Sequence, residues 1–188
     1  MSEVVLHLMR HGAPQLPGLL LGHFDVPSEA HGVEQCVRRA RTLEFERVVT
    51  SDLSRARAPG AIIAAERKVE HHADARWREL YFGEWEGADP ATLPPEPLGA
   101  FWDDPDRHPP PRGERWGELC GRVEDALRTL TAPTLVVTHA GAMRAALAAL
   151  CGLDARQCWA VDLPYAAVLS LRVWPGPQMS GQMTALLP

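Results

Sequence analysis

Positive charge is scarce in this sequence, and lysine is almost missing. The 19 lysines and arginines, of which only Lys68 is a lysine, face 24 aspartates and glutamates, giving a formal net charge of −5 at pH 7. This balance excludes a general electrostatic attraction to nucleic acids or anionic lipids. We therefore expect neither a nucleic acid nor a membrane as partner, and any anion site must be built from local residues.

Paired cysteines are also absent. The chain has four cysteines and none forms a Cys-x-x-Cys pair; they are Cys36, Cys120, Cys151 and Cys158. Reduced, packed thiols are therefore expected in place of disulfides or zinc ligands. His71 and His72 are adjacent on a short predicted strand, where neighbouring side chains point to opposite faces, so they are poor joint ligands. No metal is expected.

Long apolar runs are missing as well. The N-terminus has no basic segment before its first apolar run, which stops at Arg10, so we expect no signal peptide. The most apolar helical segment, residues 140–153, carries Arg144 and is shorter than the roughly 20 residues that a bilayer requires. The expected location is the cytoplasm.

What the sequence does contain is typical of one globular domain. It has 188 residues, 46% of them hydrophobic, and short apolar strands predicted at 4–8, 48–49, 69–73, 134–138 and 168–174 alternate with helical patterns. This alternation predicts an α/β fold, a three-layer α/β/α sandwich with a largely parallel central sheet. We expect residues 1–188 to form a single domain. Prolines crowd residues 88–112, which predicts an irregular insertion.

Three predicted strands end in residues suited to bind an anion. The first runs into Arg10 and His11, the fourth into His139, and the second is followed by Arg55 near the start of a helix, for which Ser51 or Ser54 is the predicted cap. The carboxyl ends of parallel strands share one edge of a sheet, where ligands bind in such folds. Arginine forks and a helix N-terminus suit phosphate oxygens, so these residues form a candidate phosphoryl site.

Four stretches in this order resemble the motifs of the histidine phosphatase (phosphoglycerate mutase-like) superfamily: LMRHG, TSDLSRA, WRELYFGEWEG and VVTHAGAMR. The resemblance implies a phosphoglycerate mutase-like fold and a metal-independent, cofactor-free phosphomonoesterase. It implies that His11 accepts the phosphoryl group, that Arg10, Arg55 and His139 bind it, and that Glu79 donates a proton. Flanking arginines are expected to lower the pKa of His11 and keep it neutral.

Secondary stretches are similar to those of alpha-ribazole phosphatases of cobalamin biosynthesis: GHFDVP, FWDDP and DLPYA. This likeness implies alpha-ribazole 5′-phosphate, or the cobalamin 5′-phosphate, as the substrate. Phe24, Tyr81 and Trp102 are the candidate aromatic contacts, and Ala140 adjoins the phosphoryl site. The residues after Gly12 and His139 depart from the family pattern. The resemblance therefore indicates the activity more firmly than it indicates the substrate.

Two alternatives stay open. One is a broad-specificity sugar or nucleotide phosphatase, and the other is a catalytically idle phosphate-binding regulatory module. The presence of His11 and Glu79 favours an enzyme over the idle module. The expected partner is a small-molecule phosphomonoester, and a homodimer stays an open alternative to the monomer.

Overall fold

Six strands form one mixed sheet in the computed structural model, which describes residues 3–188. They are β1 (Val4–Arg10), β2 (Arg47–Thr50), β3 (Glu70–Ala73), β4 (Thr134–Thr138), β5 (Val168–Trp174) and β6 (Ser180–Leu187). Their order is β3-β2-β4-β1-β5-β6. The first four are parallel, and β5 and β6 run antiparallel to their neighbours. The predicted largely parallel sheet is confirmed, with an antiparallel edge.

Six α-helices connect or cover the strands. They are α1 (Ala30–Ala40), α2 (Ser54–Arg67), α3 (Pro95–Asp103), α4 (Trp116–Leu127), α5 (Ala140–Cys151) and α6 (Ala155–Trp159), with 3-10 turns at Ala75–Trp77, Gly83–Trp85 and Pro90–Thr92. In α4, Leu119, Val123 and Leu127 recur every four residues and are buried, as an amphipathic helix requires. Within residues 3–188, no helix has the length and apolar character to cross a bilayer.

The sheet separates two apolar clusters. On one face, Leu8 and Val136 pack with side chains of α4 and α5. On the other, Met9 and Leu135 pack with side chains of α1 and α2. Successive residues of a strand point to opposite faces, so β1 and β4 contribute to both clusters. The predicted three-layer α/β/α sandwich is confirmed.

The parallel register brings three strand ends to one edge of the sheet. Arg10 of β1 is paired with Thr138 of β4, and Thr50 of β2 with Val137. Beyond these pairs, the backbone N–H of His11 donates to the carbonyl of Thr138 at 2.9 Å. His11 and His139 therefore leave adjacent strands side by side, as the sequence predicts.

Two local expectations are wrong. The residue at the N-terminus of α2 is Leu53, without a side-chain cap; Ser51 Oγ only accepts the Leu53 N–H at 3.3 Å, and Ser54 Oγ donates to Asp25 at 2.7 Å. The proline-rich segment is also more regular than predicted, because it contains α3. Phe101 of α3 is buried against the rest of the core and orders the insertion.

Candidate active site

His11 is held with one ring nitrogen free. Its Nδ1 lies 2.7 Å from the carbonyl oxygen of Gly12. A carbonyl only accepts, so Nδ1 carries the proton and Nε2 keeps its lone pair. The turn is tight, because a Cβ at Gly12 would lie 2.2 Å from the carbonyl oxygen of Gly32 in α1. Glycine at position 12 thus allows the close approach of α1 to the turn whose carbonyl orients the His11 ring.

His139 presents the opposite tautomer. Its Nδ1 accepts a hydrogen bond from Arg55 Nε at 3.3 Å, so the proton is on Nε2. The side chain of His139 is completely buried, and Nε2 has no partner within the protein. The two imidazole rings meet edge to face with 5.1 Å between centroids. A ring with a free lone pair, that of His11, therefore packs directly on a ring with a free N–H, that of His139.

Burial keeps both histidines neutral. It is the largest cause of a pKa well below 6.5 for His11 and for His139, and the positive charge of Arg55 acts in the same direction on each. The lowered pKa of His11 agrees with expectation, but desolvation contributes more than the arginines do. A neutral imidazole is the form that can act as a nucleophile.

Arg55 lies behind the histidines. It is fully buried, and its Nη atoms donate to the carbonyls of Leu21, Gly22 and Phe24 at 2.6–3.0 Å. Arg55 thus fastens the loop of residues 21–24 and supplies a fixed positive charge beside His139. It does not line the open cleft described below.

Arg10 also lies near the two histidines, and one of its N–H donors is free. Its Nη1 donates to the carbonyl of Leu163 at 2.6 Å, and its guanidinium lies 4.1 Å from the ring centroid of Tyr165. The Nε atom is buried without a partner. Stacking on Tyr165 fixes the plane of the fork, and the tyrosine ring also lies 5.7 Å from the His11 ring.

The Glu79 carboxylate reaches the first turn of α5. Its Oε2 accepts the N–H of Gly141 at 3.1 Å, and its Oε1 accepts the N–H of Leu80 at 2.9 Å. A Cβ at Gly141 would lie only 2.0 Å from Oε1. The glutamate thus contacts the chain two residues beyond His139 and faces the same cleft.

Two charged residues that the sequence analysis does not select hold this segment in place. Arg122 of α4 donates to the carbonyls of Arg78 and Glu79 at 2.8 Å and forms a two-bond ion pair with Glu114. The carboxylate of Glu86 accepts hydrogen bonds from the backbone N–H groups of His23 and Phe24 in the loop and from that of Phe82. Arg122 is in an amphipathic helix next to the apolar stripe, which is the one signal that could have identified it.

A cleft of about 190 Å³ opens beside these groups, and neither Arg55 nor His139 is among its lining residues. His11, Arg10 and Glu79 line it, as do the predicted contacts Ala140 and Trp102. Arg144, Trp159 and Tyr165 also line it and are not among the predicted site residues.

The predicted contacts Phe24 and Tyr81 lie outside the cleft lining. Phe24 is 49% exposed, and its ring is the group that a Cβ at Gly87 would contact, while Tyr81 packs on His23 with 5.0 Å between ring centroids. Phe24 belongs to the 21–24 loop, whose carbonyls at Leu21, Gly22 and Phe24 accept hydrogen bonds from Arg55, and its side chain is exposed.

The buried nitrogens without a partner are concentrated here. Among residues 3–188, the buried side-chain nitrogen and oxygen atoms that lack a hydrogen bond are Nε of Arg10, Nε2 of His139 and Nε of Arg144. All three are donors and belong to one neighbourhood. Unsatisfied buried donors are uncommon in folded proteins, so the oxygen atoms of a bound ligand are the natural partners of these three nitrogens.

Comparison with known proteins agrees with this geometry. Residues 6–180 match the family described as Histidine phosphatase superfamily (branch 1). An adenosylcobalamin/alpha-ribazole phosphatase of Salmonella typhimurium is 30% identical over 171 residues, which cover 82% of this chain and 83% of that protein.

Two further relatives extend the comparison. A Klebsiella pneumoniae protein named "Probable phosphoglycerate mutase" is 35% identical over 166 residues, covering 80% of this chain and 76% of that one. A crystal structure of a protein from Thermus thermophilus is 31% identical and superimposes with a TM-score of 0.77, covering 98% of this chain and 99% of that one.

Proposed function

The chain belongs to branch 1 of the histidine phosphatase superfamily, and we propose that it hydrolyses phosphomonoesters through a phosphohistidine on His11. The observation that carries the proposal is the set of free donors beside a neutral His11, since Nε of Arg10 and Nε2 of His139 are both buried without a partner. The chain is a phosphatase. The proposal concerns its substrate and the roles of its site residues.

In the first step, Nε2 of His11 attacks phosphorus as the bond between phosphorus and the leaving oxygen breaks. Arg10 and the Nε2–H of His139 donate to the equatorial oxygens, and the charge of Arg55 adds to their effect. One arginine about 4 Å from a phosphate charge contributes roughly 4 kcal/mol at an effective dielectric constant of 20. Fixed protein cations thus stabilise the charge that develops in the transition state, without a metal ion or cofactor.

Glu79 provides the proton for the leaving oxygen. It reaches the first turn of α5 at Gly141 and lines the cleft together with Arg144, Trp102 and Trp159. In the second step a water molecule gives a proton to Glu79 and its oxygen attacks phosphorus, the bond from phosphorus to Nε2 of His11 breaks, and inorganic phosphate leaves. Glu79 is then protonated again and ready for the next ester.

The substrate that we propose is alpha-ribazole 5′-phosphate, or the cobalamin 5′-phosphate. Supporting this choice are the name of the Salmonella typhimurium relative and the aromatic wall of the cleft, where Trp102, Trp116 and Trp159 pack edge to face. Flat heteroaromatic groups bind to such walls by stacking.

The test is phosphate release in EDTA from alpha-ribazole 5′-phosphate beside sugar phosphates, nucleotides and phosphoglycerates. A kcat/KM at least a hundredfold above the rest, about 2.7 kcal/mol of preference, supports the specific substrate. A flat profile indicates the broad-specificity enzyme. Transfer to a second alcohol without phosphate release indicates a mutase, and binding without turnover indicates the idle module.

We further propose that residues 1–188 form one domain acting on a small-molecule phosphomonoester in the cytoplasm. The four cysteines, all within residues 3–188, are free thiols, which fits a reducing compartment. A mass from light scattering distinguishes the monomer from the homodimer.

A further inference from the structure

Arg144 is a second arginine that lines the cleft, and not all of its N–H donors have a hydrogen-bond partner. It lies one turn after Ala140 on α5, so both side chains face the cleft. Its Nε is buried without a partner, and Nη2 has one long bond of 3.3 Å to the carbonyl of Val161. Among the residues that the structure describes, no carboxylate lies within ion-pair distance of Arg144.

An aromatic ring fixes the orientation of this guanidinium. The Arg144 fork lies 5.3 Å from the ring centroid of Trp159. Trp159 in turn packs edge to face on Trp116 at 5.1 Å and on Trp102 at 6.5 Å. Because one face of the fork is covered, its N–H donors are left to point along the edge. The site is therefore built before any ligand arrives.

The charges of the proposed reaction leave Arg144 without a counterpart. A phosphate dianion is matched by Arg10 and Arg55, and Glu79 must be uncharged when it donates its proton. Glu79 contacts Gly141, which lies about one turn before Arg144 on α5, so Arg144 lies on the side of the cleft where Glu79 gives its proton to the leaving group. A buried N–H without an acceptor is costly, and Nε of Arg144 is such a donor, so the substrate is the natural source of acceptor oxygens.

We propose that Arg144, backed by Trp159, forms a subsite for oxygen atoms of the leaving alcohol, either hydroxyls or a second acid group close to the phosphate. The proposal rests on the proposed phosphatase reaction and deepens it, since it names the class of alcohol. Esters of polyhydroxylated or acidic alcohols bind here, and esters of simple alkyl alcohols gain nothing from Arg144.

The test compares three primary phosphate esters in the full chain. Ribose 5-phosphate presents hydroxyls, 3-phosphoglycerate adds a carboxylate, and n-pentyl phosphate presents neither. All three have alkyl leaving groups that need the proton of Glu79, so an indirect effect of Arg144 on Glu79 changes all of them equally. The variants are Arg144→Met, Arg144→Lys, and the control Arg76→Met, which removes a guanidinium that bonds to the Asp125 carbonyl outside the cleft.

We expect the wild type to prefer at least one oxygen-bearing ester over n-pentyl phosphate by tenfold or more in kcat/KM. Arg144→Met should abolish that preference while its kcat/KM for n-pentyl phosphate stays within threefold of the wild-type value. Arg144→Lys should show a preference between those of Arg144→Met and the wild type, and Arg76→Met should behave like the wild type. Loss of preference for ribose 5-phosphate identifies hydroxyls as the ligand, and loss only for 3-phosphoglycerate identifies the acid group.

Two results overturn the subsite. One is a wild type that shows no preference for the oxygen-bearing esters. The other is an Arg144→Met variant that keeps the preference, or whose kcat/KM falls equally on all three esters. If the wild type hydrolyses no ester at all, the proposed function fails instead, so the two failures are distinguishable. Melting temperatures of the variants identify any loss that is due to unfolding.

Discussion

Gly141→Ala should separate proton donation from the rest of catalysis. The new Cβ would lie 2.0 Å from Oε1 of Glu79. Ordinary van der Waals contact of a Cβ begins at 3.4 Å, so the carboxylate must retreat by about 1.4 Å. Glu79 has a flexible side chain and moves more easily than the backbone of α5. The substitution therefore displaces the proton donor and leaves His11, Arg10 and His139 in place.

The expected loss depends on the leaving group. A misplacement of about 1 Å can cost roughly 10²-fold, or about 2.7 kcal/mol, in the rate of a positioned reaction. An alkyl phosphate needs the proton of Glu79 and should lose about this much kcat/KM. The p-nitrophenolate ion leaves without a proton, so p-nitrophenyl phosphate should lose less than about tenfold.

The matched control is Gly121→Ala in α4, where a new Cβ meets nothing within 4 Å. Alanine in place of an interior helical glycine stabilises a protein by roughly 0.5–1 kcal/mol, so both variants should be folded, as thermal melts will show. Steady-state kinetics with the two esters then compares them. Equal losses on both esters, or full activity of Gly141→Ala, would refute the reasoning about Glu79.

Three further predictions concern the residues around the strand ends. Arg55→Met should lower the free energy of unfolding by about 3 kcal/mol or more, because three carbonyls lose their donor; a urea titration with a loss below about 1 kcal/mol contradicts this. His11 and His139 have folded pKa values below 6.5, so only the unfolded chain takes up their protons as the pH falls below 6.5. Stability is therefore complete above pH 6.5 and decreases below it, with a limiting slope of about 1.4 kcal/mol per pH unit for each histidine; urea midpoints that stay level from pH 6.5 to 5.5 contradict this. EDTA should leave the activity unchanged, and a strict metal requirement argues against chemistry by protein cations.

Much of the site was predictable because it depends on strand order. Apolar runs that end in His11 and His139 identify two parallel strands, and parallel strands bring their carboxyl ends together. That local pattern and the resemblance of the four motifs were sufficient to predict the fold and the family. Neither step required knowledge of contacts between distant side chains.

The supporting contacts were not predictable, because they join residues far apart in the chain. Arg122 meets the Glu79 carbonyl across 43 positions, and Glu86 meets the Phe24 N–H across 62. Likewise, Phe24 and Tyr81 are aromatic and close to the motifs, yet neither side chain lines the cleft. The strand β6 was missed because its mostly exposed residues show no buried alternation.

The central claim is that His11 carries the phosphoryl group, and trapping the phosphoenzyme tests it most directly. Wild type, Glu79→Gln and His11→Ala are mixed with labelled substrate, denatured, and assayed for bound phosphate. We expect an acid-labile, alkali-stable phosphoryl group on His11 that accumulates further in Glu79→Gln and is absent from a folded, inactive His11→Ala. Turnover by His11→Ala above a few per cent of wild type, or label that persists in it, would contradict the account.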